Sequence, residues 1–570
     1  MTSDETYSCD LVVVGTGAGG LSAAVTARAS GLDVLVVEKA PVFGGTTARS
    51  GGWLWVPGNR HAREAGFSDS TEEARTYLKH ETGNHFDADR IDAFLEAGPK
   101  MVDWFEERTA VRFLLGPTFA DYHPTAPGGK DGGRSICAEP FDVRALGPFA
   151  RKLRPPLKEI TFLGMMIGSG KELLHFFNVT RSAVSMAFVA RLLARHTYDV
   201  ARHGRGMRAT NGNALAARLG RTAFVDLRIP LWLESPAEAL IEKDGRVVGA
   251  RVSREGRPVA VRASRGVVLA AGGFPWDVER RRELFPHAPT GREHNSPAPR
   301  ENTGDGVRLG ETVGGHAQTE LPNAAAWVPV SKVRWPDGSE GVFPHFVDRS
   351  KPGVIAVNWH GVRFVNEANS YHDFIQALLA SYGKDDPGEI CAWFVCDHKT
   401  IRRYGLGFVK PAPLPLGPHL RSGYLVRGDT PEALARAAGF DPAAFRDTVD
   451  AFNGPARRGE DHAFGKGSTS YNRSLGDPDH RPNPCVAPLE VPPYYAVKVV
   501  VGDLGTFAGL RTDRHARVVR TDGSPVEGLY AVGNDMGSIM GGNYPGGGIT
   551  LGPAMTFGWI AGRHAAGVEA

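Results

Sequence analysis

The stretch GNYPGGGITLGPAM, residues 542–555, sets Tyr544 ahead of three consecutive glycines. Glycine is costly to order and buries no side chain, so a run of it serves a surface turn or close approach of the backbone to a ligand. A second glycine set stands near the N-terminus, where Gly15, Gly17 and Gly20 have GxGxxG spacing. Those glycines allow a tight turn, room for a pyrophosphate and close helix contact. Glu38 follows eighteen residues after Gly20, where a carboxylate accepts hydrogen bonds from a ribose. The chemistry indicated is dinucleotide binding.

The elements that must position these residues are legible around them. Residues 10–39 predict a strand at Leu11–Val14, a helix at Leu21–Ser30 and a second strand at Val34–Val37, a βαβ unit with a parallel pair and a helix N-terminus aimed at the phosphates. RASRGVVLAAGGF (262–274) and GLYAVGND (528–535) each run an apolar strand into glycine. The fold class expected is α/β: a Rossmann-like domain built from both ends of the chain, with an inserted α+β capping domain and a basic helical insertion. The segments are 1–150, 207–310 and 495–570 for the nucleotide domain, 151–206 for the insertion and 311–494 for the catalytic domain.

Composition narrows the class. With 570 residues, 42% hydrophobic and 23% charged, the chain has ample material for more than one core, and disorder is excluded. A net charge of +3 gives no reason to expect nucleic acid as a partner. Five scattered cysteines (Cys9, Cys137, Cys391, Cys396, Cys485) offer no CxxC pair and no zinc spacing, so reduced thiols in a cytoplasm, with no metal, are expected. The acidic start MTSDETYSCD is unlike a signal peptide, and no segment is apolar enough to span a bilayer.

Residues 151–208 hold eleven Lys or Arg against three acids. A helix is expected over 180–203, with Arg181, Arg191, Arg195 and Arg202 within an arc of roughly 80° and Met186, Val189, Leu193 and Val200 on another face. Beside the apolar FLGMMIG (162–168), such a helix predicts either a lid or a peripheral contact with the inner face of the cell membrane.

EKAPVFGGTTARSGG (38–52), ENTGDGVRLG (301–310) and GLYAVGND resemble the flavoprotein subunits of succinate dehydrogenases and fumarate reductases. That resemblance implies extended FAD, bound noncovalently because GGTTARSGG contains no histidine to attach it. It implies cofactor contacts at Gly15, Gly17, Ala18, Gly19, Gly20, Glu38, Lys39, Gly44, Gly45, Thr46, Ser50, Gly51, Gly52, Ala271, Gly272, Asp305, Gly533, Asn534, Thr550 and Leu551. Asp305 is expected to reach the flavin end, and Gly44–Thr46 to start a further helix.

Within that superfamily, DYHPTAPGG (121–129), RFVNEANSY (363–371) and YPGGGITLGPAMTFG (544–558) are similar to 3-ketosteroid Δ1-dehydrogenases. The resemblance implies desaturation of steroid ring A at C1–C2 in steroid degradation. Tyr371 would take the C2 proton with help from Tyr122, while Tyr544 and the Gly548 N–H would hold the ketone oxygen. FAD would accept the hydride and pass electrons to an external acceptor such as a quinone. The alternatives are a C4–C5 dehydrogenase, a soluble fumarate reductase, disfavoured because no arginine follows RFVNE, and a non-enzymatic sterol carrier.

Overall fold

The computed structural model describes residues 5–383, 386 and 388–568. Its larger sheet has eight strands. Glu5–Val14 lies at the centre, parallel to Val34–Val37 on one side and to Arg257–Leu269 on the other. Leu11–Val14 and Val34–Val37 are buried throughout, as expected of parallel strands covered on both faces. Leu231–Trp232 pairs with Val34–Val37, and Pro525–Ala531 pairs with the C-terminal end of Arg257–Leu269. Thus segments some 500 residues apart in sequence share one sheet.

The two ends of the chain also meet through helices of small residues. Ala18–Ala29 lies against Leu551–Ala565, where a Cβ on Gly558 would come within 2.4 Å of the Gly19 carbonyl oxygen. Ser22 Oγ donates to the Met555 carbonyl at 2.7 Å. The first helix starts three residues before its expected position because Gly17 is its extended N-cap, so the helix begins inside the glycine motif. Gly44–Thr46 leads into a single 3₁₀ turn, Thr47–Arg49, rather than a longer helix. The chain extends again at Ser50, and Gly52 presses onto the Asn211–Gly212 backbone, where a Cβ would lie 2.3 Å from its atoms.

A second, antiparallel sheet of six strands spans Ala325–Arg334 to Tyr494–Thr506. The helix Tyr371–Ala380 packs on it, fastened where the Trp327 N–H donates to His372 Nδ1 at 3.0 Å.

In the 151–206 segment, Leu153 is fully buried and its neighbours bond Phe43 main chain to main chain at 2.8 and 2.9 Å. A two-residue-stranded hairpin follows, with Leu163 at its tip, then the helices Lys171–Phe177 and Ala183–His203. The long helix turns Ser185, Val189, His196 and Asp199 inward. The expected apolar face is therefore only partly inward, since Met186 is 57% and Val200 41% exposed. His196 and Asp199 win that face because they satisfy polar groups there: His196 Nε2 meets the Leu163 carbonyl at 3.0 Å, and Asp199 accepts from Met207 N–H. No helix among the described residues is long and apolar enough to cross a membrane.

Candidate active site

A cleft opens at the C-terminal ends of the central strands, between Val14, Val37 and Ala270. Its floor is the Gly15–Gly20 turn. Gly15 has φ +108°, and a Cβ there would fall 2.2 Å from the Ala270 carbonyl oxygen. Gly533, by contrast, faces open space, and a Cβ on Gly17 would meet only Thr47 Oγ1, at 3.7 Å, so a cofactor could approach the backbone closely at both. The Ala18 N–H is occupied by Thr47 Oγ1 at 2.9 Å. Thr46, Ser50, Ala271, Gly272, Asn534, Thr550 and Leu551 line the walls, with Gly19, Gly20 and Gly45.

Gly44, Gly51 and Gly52 do not line the cleft. Gly44 packs on Ala48 and Ala216, Gly51 flanks Trp53, and Gly52 abuts Asn211. Asp305 lines it but stands beside Lys39, 2.8 Å away, at the Glu38 end and not at the flavin end expected for it. The Glu38 carboxylate accepts from Thr16 and from the Ala40 N–H, and burial pushes its pKa up.

Two residues of this region escaped sequence reasoning. Arg154, only 5% exposed, lines the cleft with its Nε unpartnered among the described residues, a cation suited to a pyrophosphate. Asp535, pushed up to about 6 by burial, binds the Ala271 and Gly273 N–H groups and so holds the Ala271–Gly273 turn against the cleft. The cleft has the phosphate-facing helix N-terminus, the Cβ-free cradle and the cation that a flavin dinucleotide needs.

Beyond Thr550 and Leu551 lies a cluster of four buried tyrosines: Tyr122, Tyr371, Tyr471 and Tyr544, each at most 6% exposed. Tyr122 and Tyr371 are joined hydroxyl to hydroxyl at 2.9 Å. Tyr544 stacks on Tyr122, with centroids 5.4 Å apart and planes at 10°, and meets Tyr371 edge-on at 5.0 Å. Tyr471 lies 4.5 Å from Tyr122, ring to ring, and was not singled out from the sequence. Burial raises the pKa of all four: that of Tyr544 to about 12, those of Tyr122 and Tyr371 well above the usual phenol value.

Each tyrosine is held by a different part of the chain. The Tyr122 N–H donates to the Pro545 carbonyl at 2.9 Å, and Tyr77 OH donates to the same oxygen at 2.6 Å. Adjacent Asp121 takes the Trp55 indole N–H and the Arg134 guanidinium, at 2.8 and 2.7 Å. Tyr371 is the first residue of its helix, whose cap is Ser370. His123 links the two sides, 2.6 Å from Glu81 and 2.8 Å from Asp373, and these carboxylates push its pKa up to about 10 against the effect of burial.

The glycines after Tyr544 pack against the strand Trp53–Trp55 and Phe119. A Cβ on Gly546 would lie 2.6 Å from the Trp55 ring, one on Gly547 2.1 Å from Phe119, and one on Gly548 2.5 Å from the Trp53 carbonyl carbon. Gly548 has φ +104°, and its N–H meets no acceptor among the described residues. Together these groups offer hydrogen-bond donors for one oxygen and a phenol pair for one proton, inside an aromatic wall.

A family model described as FAD binding domain matches residues 10–551. The chain is 42% identical to 4-oxocyclohex-2-ene-1-carboxylate 5-dehydrogenase of Sinomonas cyclohexanicum, covering 99% of this chain and 94% of that one. It is 38% identical to 3-oxosteroid 1-dehydrogenase of Mycolicibacterium smegmatis, covering 97% and 96%. Among solved structures, 3-ketosteroid Δ1-dehydrogenase from Sterolibacterium denitrificans, in complex with 1,4-androstadiene-3,17-dione, superimposes with a TM-score of 0.90 at 37% identity over 99% of this chain and 100% of that one.

Proposed function

The chain belongs to the FAD-binding flavoprotein family that contains the 3-oxosteroid 1-dehydrogenases, and on that premise we propose that it desaturates ring A of 3-ketosteroids between C1 and C2. It is an FAD-dependent oxidoreductase. The observation that carries the reading is the 2.9 Å contact between the buried Tyr122 and Tyr371 hydroxyls.

FAD, when bound noncovalently along the glycine cradle, supplies the acceptor for the C1 hydride. The residues of the chain manage the proton and the charge. Tyr371, as phenolate, takes the C2 proton, and Tyr122 shares that charge through its hydroxyl. The proton is acidified while the C3 oxygen gains negative charge, which Tyr544 OH and the Gly548 N–H stabilise as preorganised donors. Tyr122, Phe346, Phe507 and the glycine loop exclude water around them.

The second sheet, with the Tyr371 helix, acts as the capping domain over the cofactor domain. The 151–206 segment is read as a peripheral membrane contact. Leu163, Val184, Met186, Tyr198 and Val200 are exposed there among Arg181, Arg191, Arg195 and Arg202, a composition suited to a headgroup boundary and to delivery of an apolar substrate or a quinone acceptor.

The 42% identity to a monocyclic oxo-acid dehydrogenase favours a second reading, the same desaturation on a smaller ring. Turnover of androst-4-ene-3,17-dione, a 5α-3-ketosteroid and 4-oxocyclohex-2-ene-1-carboxylate with a dye acceptor, products identified by mass spectrometry, separates the readings. The leading one requires the androstenedione product to lose two hydrogens at C1–C2. Turnover of the oxo-acid alone establishes the second, and a C4–C5 product overturns both.

A further inference from the structure

The proposed proton transfer leaves a physical problem unsolved. A phenol buried among other phenols is a poor base at neutral pH, because burial penalises the phenolate. Some fixed positive charge has to compensate.

The structure points to Arg349, and we propose that its buried guanidinium is the positioning residue that makes the tyrosine cluster able to hold a proton-abstracting phenolate. Arg349 is fully buried. Its Nε donates to the His345 carbonyl at 3.0 Å, its Nη1 to the carbonyls of Glu367 and Asn369 at 2.6 and 2.8 Å, and its Nη2 to that of Phe346 at 3.4 Å. No carboxylate among the described residues lies within ion-pair distance of it, so its charge is not cancelled by a direct partner. Two of those carbonyls lie four and two residues before Tyr371, so the same side chain fixes the loop that delivers the base. Tyr371 is the first residue of its helix, so the loop that Arg349 pins leads directly into the residue that carries the base. Arg349 faces Tyr471, and its charge favours the phenolate at Tyr471 and Tyr122; it reaches Tyr371 through the 2.9 Å hydroxyl contact with Tyr122.

The turn carrying Arg349 is itself pinned. His345 Nδ1 lies 2.6 Å from Asp348 Oδ2, and its Nε2 2.8 Å from Ser331 Oγ. This is the geometry of a hydrolytic triad, but Ser331 is 1% exposed and its hydroxyl is shared with Tyr424 at 2.6 Å. Its role here is to hold the Asp348–Ser350 turn. The Asp348 carboxylate bonds His345 and the Gly407 N–H, and the Arg349 charge next to it also stabilises it. The other charges and titratable groups facing the cluster are Asp373, paired with His123 and through it with Glu81, and His372, which accepts the Trp327 N–H. Arg349 is thus the cation closest in role to the phenols themselves.

This inference rests on the desaturase reading, and wild-type turnover tests that reading separately. The test is the pH profile of kcat/KM for wild type, Arg349→Met, Arg349→Lys and Tyr471→Phe, alongside deuterium exchange at C2 of the steroid in D₂O. Steroid binding is followed by perturbation of the flavin spectrum. Arg349→Met should shift the rising limb to higher pH by a unit or more, about tenfold in kcat/KM on that limb, and slow C2 exchange. Arg349→Lys should restore most of the limb while kcat stays low. Tyr471→Phe, which leaves every carbonyl bond of Arg349 in place but removes a hydroxyl that raises the pKa of Tyr122 and Tyr371, should move the limb the opposite way, to lower pH. If every soluble variant loses the same factor at all pH values with an unmoved limb, Arg349 is only a structural pin and the proposal fails. If Arg349→Met does not fold, Arg349→Gln, which is neutral but keeps an amide donor for the carbonyls, decides it by the same limb.

Discussion

The cofactor cleft and the tyrosine cluster, neighbours across Thr550 and Leu551, work by opposite means. The cleft acts through the absence of side chains: Gly15 and Gly20 sit where a Cβ would meet backbone at 2.2 and 2.3 Å. The cluster acts through side chains whose ordinary ionisation is suppressed by burial. One region is built to be approached, the other to store a charge that water would otherwise have to solvate. The lesson is that the cleft is sensitive to volume and the cluster to single polar atoms.

The sharpest test of that difference is Tyr371→Phe, which removes one oxygen. It should cut kcat/KM by about 10³-fold or more while FAD content and steroid binding stay normal, in line with the usual 10²–10⁴ range for loss of an acid–base group. Equal activity would remove the cluster from the chemistry. Gly15→Ala should do the reverse. The added Cβ meets the Ala270 carbonyl at a φ of +108°, so the protein should purify colourless or unfolded, and a yellow, stoichiometric holoprotein would break the volume argument. Tyr544→Phe removes one of two donors to the ketone oxygen and should cost about 10²-fold in kcat, measured with saturating steroid.

Smaller effects test the periphery. Replacing Leu163, Val184, Met186 and Tyr198 together by serine should reduce co-sedimentation with anionic liposomes several-fold without changing turnover of detergent-solubilised steroid. Equal sedimentation of both proteins would leave the 151–206 segment as a lid. The smallest effect concerns His123. Its folded pKa, pushed up to about 10, exceeds the usual value near 6.5. The folded state therefore binds the extra proton between those values, and the stabilisation, complete below pH 6.5, is lost as pH rises toward 10. Thermal scans should show Tm falling over that window, less steeply in His123→Gln.

How much of this was legible in the sequence follows the same division. The cradle was readable because Gly15, Gly17, Gly20 and Glu38 are close together and each answers a local steric demand. Gly44 and Gly52 answer to neighbouring protein, since a Cβ on either would meet Ala48 or the Asn211–Gly212 backbone, and with Gly51 they lie outside the cleft lining. Tyr122, Tyr371 and Tyr544 were found through resemblance, and no spacing could have joined them, since they come from segments 249 and more than 170 residues apart. Tyr471 and Arg349 carry no local signature at all. An arginine that bonds four main-chain carbonyls is invisible until the chain is folded. Arg154 was hidden by a boundary: it falls just inside the segment read as an insertion, yet it lines the cleft. On the helix Ala183–His203, hydropathy chose Met186 and Val200 for the inner face, whereas hydrogen bonds to His196 and Asp199 chose otherwise.

The measurement that bears most directly on the central claim is anaerobic mixing of the yellow holoprotein with androst-4-ene-3,17-dione, following flavin absorbance and the mass and regiochemistry of the steroid. The account predicts rapid bleaching in wild type with loss of two hydrogens at C1–C2, and bleaching about 10³-fold slower in Tyr371→Phe. A flavin that stays oxidised in wild type with bound steroid, or a Tyr371→Phe protein that bleaches as fast as wild type, would contradict it.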